Sequence, residues 1–137
     1  MKKNEANKKL TANMEDYLEV IADLQKKNGI ARVRDIGAQM KVKNSSVNAA
    51  LNSLTESGYA VHEKYGYVEL TNKGKKIASA VKKKHDLLFK FLVDILKIDK
   101  KTAEEDACKM EHTISQKTYD RIVEFIKYVE KCKCAKF

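Results

Sequence analysis

Three side chains that can bind a metal ion lie close together in the C-terminal part of the sequence: Cys108, Glu111 and His112. On a helix, positions i, i+3 and i+4 share one face, so a thiolate, a carboxylate and an imidazole would converge there. Such a mixed donor set favours ferrous iron, zinc or cobalt over calcium and magnesium, which prefer oxygen alone. By themselves the three residues are equally compatible with an inert cysteine beside two surface polar groups.

Further potential ligands lie on other predicted helices. Asp16 and Glu19 stand at i, i+3 near the start of the first helix, and His85 lies on the fourth. Each alone is typical of ordinary helix chemistry, since acidic residues favour a helix N-terminus and a single histidine is usually structural. The sequence has no nucleophile motif, phosphate-binding glycine loop or His-Glu-x-x-His signature, so we do not expect an enzyme.

The elements that must position these residues are mostly helical, because the 137-residue chain has no proline and its five glycines lie within the first 74 residues. Apolar spacing predicts six helices. The first is capped by Asn13 and stops at Asn28-Gly29, the second contains 33–40, and the third runs from Asn44 to Ser57-Gly58. The fourth has roughly twenty residues over 77–95, the fifth opens with a capping box at Thr102–Glu105 and runs through His112, and Ser115 caps the sixth.

Two alternating runs, Tyr59–Glu63 and Tyr67–Thr71, predict a hairpin that turns at Gly66. Three helices and a hairpin make a winged helix-turn-helix, followed by an all-helical half, so the expected fold class is mainly α. The apolar stripes of that second half exceed what it can bury alone, so we expect a homodimer through the C-terminal helices.

The charge of the chain points to an anionic partner. Its net charge of +9 and pI near 9.4 favour nucleic acid. The longest uncharged stretch, Asn44–Thr55, is twelve residues and far shorter than a membrane helix, and no export signal is visible, so we expect a cytoplasmic protein without membrane contact. The odd count of three cysteines indicates free thiols.

The start of the third helix is the candidate DNA-reading element, because small polar side chains and backbone N–H groups there can meet base edges and phosphates. Neighbouring basic and aromatic residues could contact the DNA backbone. Alternatively, these residues cap helices and solubilise the chain. The DNA-binding candidates are Asn44, Ser45, Ser46 and Asn48 on the helix, with Arg32, Arg34, Lys43, Lys64 and Tyr65 around it.

Several segments, taken in order, resemble the diphtheria-toxin-repressor family of iron- and manganese-dependent regulators over about residues 13–130. They are Met14–Glu19, Ala31–Ile36, Ser45–Val47, Leu70–Gly74, Lys84–Leu88 and Cys108–His112. The resemblance implies a homodimeric repressor that binds a palindromic operator when divalent metal is plentiful. The implied domains are a basic tail (1–12), a winged helix-turn-helix DNA-binding domain (13–72), a helical dimerisation and metal-binding domain (73–130) and a cysteine-containing tail (131–137).

The resemblance also implies a ligand set. Asp16 and Glu19 match oxygen ligands of the manganese branch, His85 matches the ligand on the linking helix, and Glu111 and His112 match the pair common to both branches. The family's iron regulators have Cys at position 108 and its manganese regulators have Glu. Because a thiolate changes ligand softness more than a carboxylate does, Fe(II) is the preferred metal and Mn(II) the alternative, with one or two ions per protomer.

The sequence departs from the larger iron regulators in ways that affect these expectations. We expect their C-terminal SH3-like domain to be missing. In their ancillary metal site, Phe89 replaces an acid and Glu104 replaces a histidine, so a second site of that type is not expected. A binuclear site of the manganese type, bridged by Cys108 or Glu111, stays open. Ala49 replaces an amide in the reading helix, so base contacts do not transfer.

The resulting hypothesis is that a metal ion takes ligands from the first helix and from the fourth and fifth helices, and so links them. This would restrict the two winged helices of a dimer to half-sites about 34 Å apart. Two alternatives remain: a metal-independent winged-helix regulator, and a thiol-redox regulator that uses Cys108, Cys132 and Cys134.

Overall fold

The computed structural model of the protein describes residues 10–63 and 66–132. They belong to two compact units that divide between Ser79 and Ala80. The predicted DNA contacts Lys64 and Tyr65, and Cys134 in the tail, lie outside the described residues. Within the described ranges, no helix is both long enough and apolar enough to cross a membrane. The fold is mainly helical, as expected.

The first unit begins with three helices: α1 (Ala12–Asn28), α2 (Val33–Met40) and α3 (Asn44–Glu56). Asn13 was wrongly predicted to cap α1. The cap is Thr11, whose extended backbone places its hydroxyl oxygen to accept a hydrogen bond from Met14 N–H at 3.1 Å. The stop at Gly29 is confirmed: its φ of 80° lets its N–H donate to the carbonyl of Gln25.

A small antiparallel sheet completes the winged helix-turn-helix. It contains β1 (Ala31–Arg32), β2 (Ala60–His62) and β3 (Tyr67–Leu70) in the order β1-β3-β2. The hairpin prediction is confirmed with shorter strands, and β1 was not predicted because two residues show no alternation. Ala31 pairs with Val68, and Ala60 pairs with Leu70.

The core of the first unit is formed by one apolar face of each helix together with the inward side of the sheet. A Cβ on Gly37 of α2 would lie 3.0 Å from the Val42 carbonyl oxygen, so this glycine permits a tight turn into α3. The buried residues of this core include Tyr17, Leu18, Ile21, Leu24, Ala31, Ile36, Val47, Leu51, Leu54, Ala60, Val68, Leu70 and Ala78.

The predicted long fourth helix is α4 (Asn72–Lys90), which continues as a π-helical segment over Phe91–Ile95. Thr71 fixes its start, because its hydroxyl donates to the Gly58 carbonyl at 2.7 Å and accepts from Gly74 N–H at 3.1 Å. A Cβ on Gly74 would lie 2.0 Å from the Tyr59 carbonyl oxygen. Only glycine therefore lets α4 approach the backbone before β2 this closely.

The second unit contains the C-terminal part of α4, α5 (Lys100–Thr113) and α6 (Gln116–Cys132). The capping box predicted at Thr102 was wrong: the helix begins two residues earlier, where an Asp99 carboxylate oxygen accepts from Thr102 N–H at 2.9 Å. The cap at Ser115 is confirmed by a 3.1 Å bond from Thr118 N–H. The buried apolar residues of the second unit include Leu88, Leu92, Ala103 and Ala107.

Candidate metal centre and DNA-binding surface

His85 is the centre of a polar cluster inside the second unit. It lies on the buried side of α4, and its side chain is 9% exposed. Its Nδ1 is 2.9 Å from Glu111 Oε2 and 3.9 Å from Cys108 Sγ, and its Nε2 is 3.0 Å from Glu104 Oε1. The predicted ligands His85, Cys108 and Glu111 therefore come together.

One helix supplies the other members of the cluster. Glu104, Cys108 and Glu111 lie at i, i+4 and i+7 on α5, which places them on one face. Glu111 is fully buried, whereas Glu104 is largely exposed. From the sequence, Glu104 was expected only as a departure from the ancillary site, and its contact with His85 was not predicted. Its spacing to Cys108 places it on the same helix face, but no local pattern relates it to residue 85.

The electrostatics of the cluster are dominated by the His85–Glu111 pair. The hydrogen bond to Glu111 raises the pKa of His85 from 6.5 to about 9, against the lowering effect of burial and with further help from Glu104. At neutral pH, without a metal ion, His85 is therefore an imidazolium that donates to both carboxylates. A metal that binds either ring nitrogen must displace a proton.

One oxygen of this cluster lacks a hydrogen bond. Glu111 Oε1 is buried and has no hydrogen-bond donor among the described residues. His112 Nε2 lies 3.3 Å away, which is ion-pair distance but not hydrogen-bond geometry. A buried carboxylate oxygen without a donor is costly unless a cation compensates it.

The residues present fit a divalent transition metal. A nitrogen of His85, the sulfur of Cys108 and a carboxylate oxygen of Glu111 all lie within 4.8 Å of one another. Nitrogen, sulfur and oxygen together are a donor set for first-row transition metals. The arrangement can hold such an ion.

The other predicted ligands have different places. His112 follows Glu111 on α5, and its side chain is 5% exposed. Asp16 and Glu19 lie in the first unit on α1, where both are half-buried.

The predicted DNA-reading residues lie on the surface of the first unit. Asn44, Ser45, Ser46 and Asn48 are exposed in the first turns of α3, whereas Val47 between them is buried. Lys43 precedes the helix, and no side chain caps this end. The interpretation that the Asn44–Ser46 cluster caps α3 is therefore wrong, as it was for Asn13 in α1.

The basic residues around α3 are also exposed. The Arg32 guanidinium carbon lies 5.4 Å from the centre of the Tyr67 ring, a cation–π distance that holds the arginine on the sheet. Arg34 makes a long ion pair of 3.8 Å with Asp35, and its side chain is 76% exposed. Both guanidinium groups are accessible to phosphates.

Two family models match the chain. The iron dependent repressor N-terminal DNA binding domain matches residues 9–68, and the iron dependent repressor metal binding and dimerisation domain matches residues 71–136. The chain belongs to the iron-dependent repressor family. This is the diphtheria-toxin-repressor family indicated by the sequence motifs. The protein is thus a metal-dependent transcriptional regulator, not an enzyme, and the family binds DNA and dimerises through its C-terminal domain.

Individual relatives agree with this assignment. The HTH-type transcriptional regulator MntR of Bacillus subtilis (strain 168) is 38% identical over 121 residues, covering 88% of this chain and 84% of MntR. The structure of the manganese regulator SloR superposes with a TM-score of 0.75 at 29% identity over 87% of this chain. A manganese-dependent transcriptional repressor in complex with manganese gives 0.76 at 28% identity over 84% of this chain. The chain spans 55% of SloR and 53% of the manganese complex.

Proposed function

We propose that this protein is an Fe(II)-activated transcriptional repressor that binds a palindromic operator as a homodimer in the cytoplasm and controls metal-uptake genes. The observation that carries the proposal is the convergence of His85, Cys108 and Glu111. The second carboxylate oxygen of Glu111, on the side of His112, is buried without a hydrogen-bond donor among the described residues. A divalent ion there would replace the proton of His85 and balance the buried charge of Glu111.

The preference for Fe(II) rests on Cys108. A thiolate donor strengthens binding of intermediate metals such as Fe(II) relative to Mn(II), which prefers oxygen. The test is anaerobic competition between Fe(II) and Mn(II) for the wild type, Cys108→Ser and Cys108→Glu. We expect the wild type to favour Fe(II) and Cys108→Glu to shift the preference towards Mn(II). An unchanged preference in both variants would contradict the assignment of Fe(II) to the thiolate.

Manganese is the second candidate, because SloR and the second structural relative are described as manganese proteins. Asp16 and Glu19 support it as well, since carboxylates are the ligands that Mn(II) prefers. In the same competition, a wild-type preference for Mn(II) that survives Cys108→Ser would establish this alternative.

The full ligand set is also a proposal. We assign His112, Asp16 and Glu19 as further ligands from the match of their positions to the family pattern, with one or two ions per protomer. Elemental analysis of the loaded wild type and of Glu19→Gln tests the count. A fall from two ions to one in the variant supports a binuclear centre, and a single ion in both refutes it.

The DNA-binding proposal uses the exposed start of α3. Asn44, Ser45, Ser46 and Asn48 would meet base edges in the major groove, and two such helices in a dimer would meet half-sites about one helical turn, ~34 Å, apart. The neighbouring residues Arg32, Arg34, Lys43, Lys64 and Tyr65 would contact phosphates. Nuclease protection on the DNA upstream of its own gene should show two protected half-sites, whereas one short protected site would argue against a dimer.

The homodimer proposal is supported by the surface of α6. Phe125 is 46% exposed and Tyr128 is 62% exposed, which leaves two large aromatic side chains for a second copy to cover. Sedimentation of the wild type and of Phe125→Glu tests this face. The variant should dissociate towards monomer, and an unchanged dimer would move the interface elsewhere.

The proposed switch is a population shift. Metal that binds one arrangement of the dimer better than others favours that arrangement, and DNA that prefers the same arrangement binds more tightly. Without metal, the net charge of +9 still supports weak, salt-dependent DNA binding.

A further inference from the structure

We propose that Glu104 is a positioning residue for the metal centre: it holds the N–H of His85 Nε2, so that Nδ1 is the nitrogen that binds the ion. The inference rests on the proposed function, because it presupposes that metal binds at His85, Cys108 and Glu111.

The two nitrogens of His85 face different surroundings. Nδ1 faces Glu111 Oε2 at 2.9 Å and Cys108 Sγ at 3.9 Å, whereas Nε2 faces Glu104 Oε1 at 3.0 Å. A neutral imidazole has one N–H and one lone pair. When the Glu104 carboxylate accepts a hydrogen bond from Nε2–H, the lone pair of the imidazole lies on Nδ1. This is the nitrogen beside the other two metal-binding groups, Cys108 and Glu111.

Burial separates the roles of the two carboxylates. The Glu111 side chain is fully buried, whereas Glu104 is 58% exposed and retains contact with water. Among the described residues, Glu104 belongs to no group of three converging donors, whereas Glu111 does. Glu111 is therefore placed as a ligand, and Glu104 as the carboxylate behind the histidine, an arrangement that fixes the tautomer of metal-binding imidazoles.

A second contact limits rotation of the imidazole. Phe89, one turn after His85 on α4, stacks against it with ring planes 12° apart and centroids 6.5 Å apart. The Phe89 ring disfavours rotation of the His85 imidazole away from the orientation in which its Nε2 contacts Glu104. Within this orientation, the contact with Glu104 keeps Nε2 away from the metal-binding groups and leaves Nδ1 beside them.

The test uses the full-length protein, kept reduced and anaerobic, with Co(II) as the probe. The variants are Glu104→Ala, Glu104→Gln and the matched control Glu105→Ala, which removes the same charge from the next, exposed position of α5. Visible absorption reports Co(II) affinity and the ligand field. Proton NMR reports the exchangeable Nε2–H signal of the cobalt-bound histidine.

We expect Glu104→Ala to weaken Co(II) binding about 10–100-fold relative to Glu105→Ala, the usual effect of removing a partner behind a metal ligand. The Nε2–H signal should disappear through faster exchange while the ligand-field spectrum is unchanged. Glu104→Gln should recover part of the affinity and the signal, because its amide oxygen can accept the same proton.

Three results would overturn the proposal. Equal affinity in Glu104→Ala and Glu105→Ala would show that the contact does not position His85. A changed ligand-field spectrum, together with an equal loss of Co(II) affinity in Glu104→Ala and Glu104→Gln, would show that Glu104 is itself a ligand. If Cys108→Ser leaves the thiolate-to-cobalt absorption of the wild type unaltered, the ion lies elsewhere, and the proposed function fails before the role of Glu104 is reached.

Discussion

The His85–Glu111 pair predicts an unusual dependence of stability on pH. The pKa of His85 is about 9 in the folded chain and 6.5 in the unfolded chain. A histidine with a raised pKa stabilises the fold fully below its unfolded value, and the contribution is lost as pH rises through its folded value. Without metal, the free energy of unfolding should therefore fall between pH 6.5 and pH 9.

The magnitude follows from the difference between the two pKa values. A difference of about 2.5, at about 1.4 kcal/mol for each tenfold change in proton affinity, gives a loss of about 3 kcal/mol. This is a large share of the stability of a small domain, which is typically about 5–15 kcal/mol. The hydrogen bond to Glu111 is the largest cause, so Glu111→Gln should remove most of the effect.

The assay is urea denaturation at pH 6 and pH 9, with chelator, reductant and fixed protein concentration, for the wild type, Glu111→Gln and the exposed control Glu105→Gln. The wild type and the control should both lose about 3 kcal/mol, whereas Glu111→Gln should be nearly flat. A wild type whose stability stays constant or rises over this range would show that protonated His85 does not stabilise the fold. An equal loss in Glu111→Gln would show that the hydrogen bond to Glu111 is not its cause.

Three other perturbations have defined outcomes. Gly74→Ala should destabilise the protein by about 1–3 kcal/mol in thermal or urea unfolding, because the added Cβ would meet the Tyr59 carbonyl oxygen; helix propensity alone predicts the opposite sign. Leu51→Ala, in the fully buried core, should cost about 2–5 kcal/mol, and a loss under 1 kcal/mol would place that side chain outside a packed core. Lys43→Ala should reduce the slope of log DNA affinity against log salt concentration by about 1, and an unchanged slope would remove Lys43 from the phosphate contacts.

Sequence patterns predicted most of the helices, because apolar spacing along each helix is a local property that tertiary contacts reinforce. They did not predict the helix starts correctly where the capping side chain lies just before the periodic stretch. Thr11 and Asp99, not Asn13 and Thr102, accept the capping hydrogen bonds. The two-residue strand β1 exists only through pairing with β3, which is distant in sequence and invisible to periodicity.

The candidate site shows the same division. The spacing of Cys108 and Glu111 predicted that they share a helix face, and α5 confirms it. That His85 from another helix joins them came from the family resemblance, because no local pattern relates residues 85 and 111. The contact with Glu104 was missed because an exposed glutamate on a helix does not differ from other surface glutamates in the sequence. Only the position of His85 beside it gives it a role.

We propose that metal bound at His85, Cys108 and Glu111 controls DNA binding. The most direct measurement is anaerobic fluorescence anisotropy on the DNA upstream of its own gene, with Fe(II) or with chelator, for the wild type and Glu111→Ala. We expect tight binding only for the wild type with Fe(II), and weak, salt-dependent binding in the other three conditions. Equal affinity of the wild type with Fe(II) and with chelator would contradict the proposal and leave a metal-independent winged-helix protein.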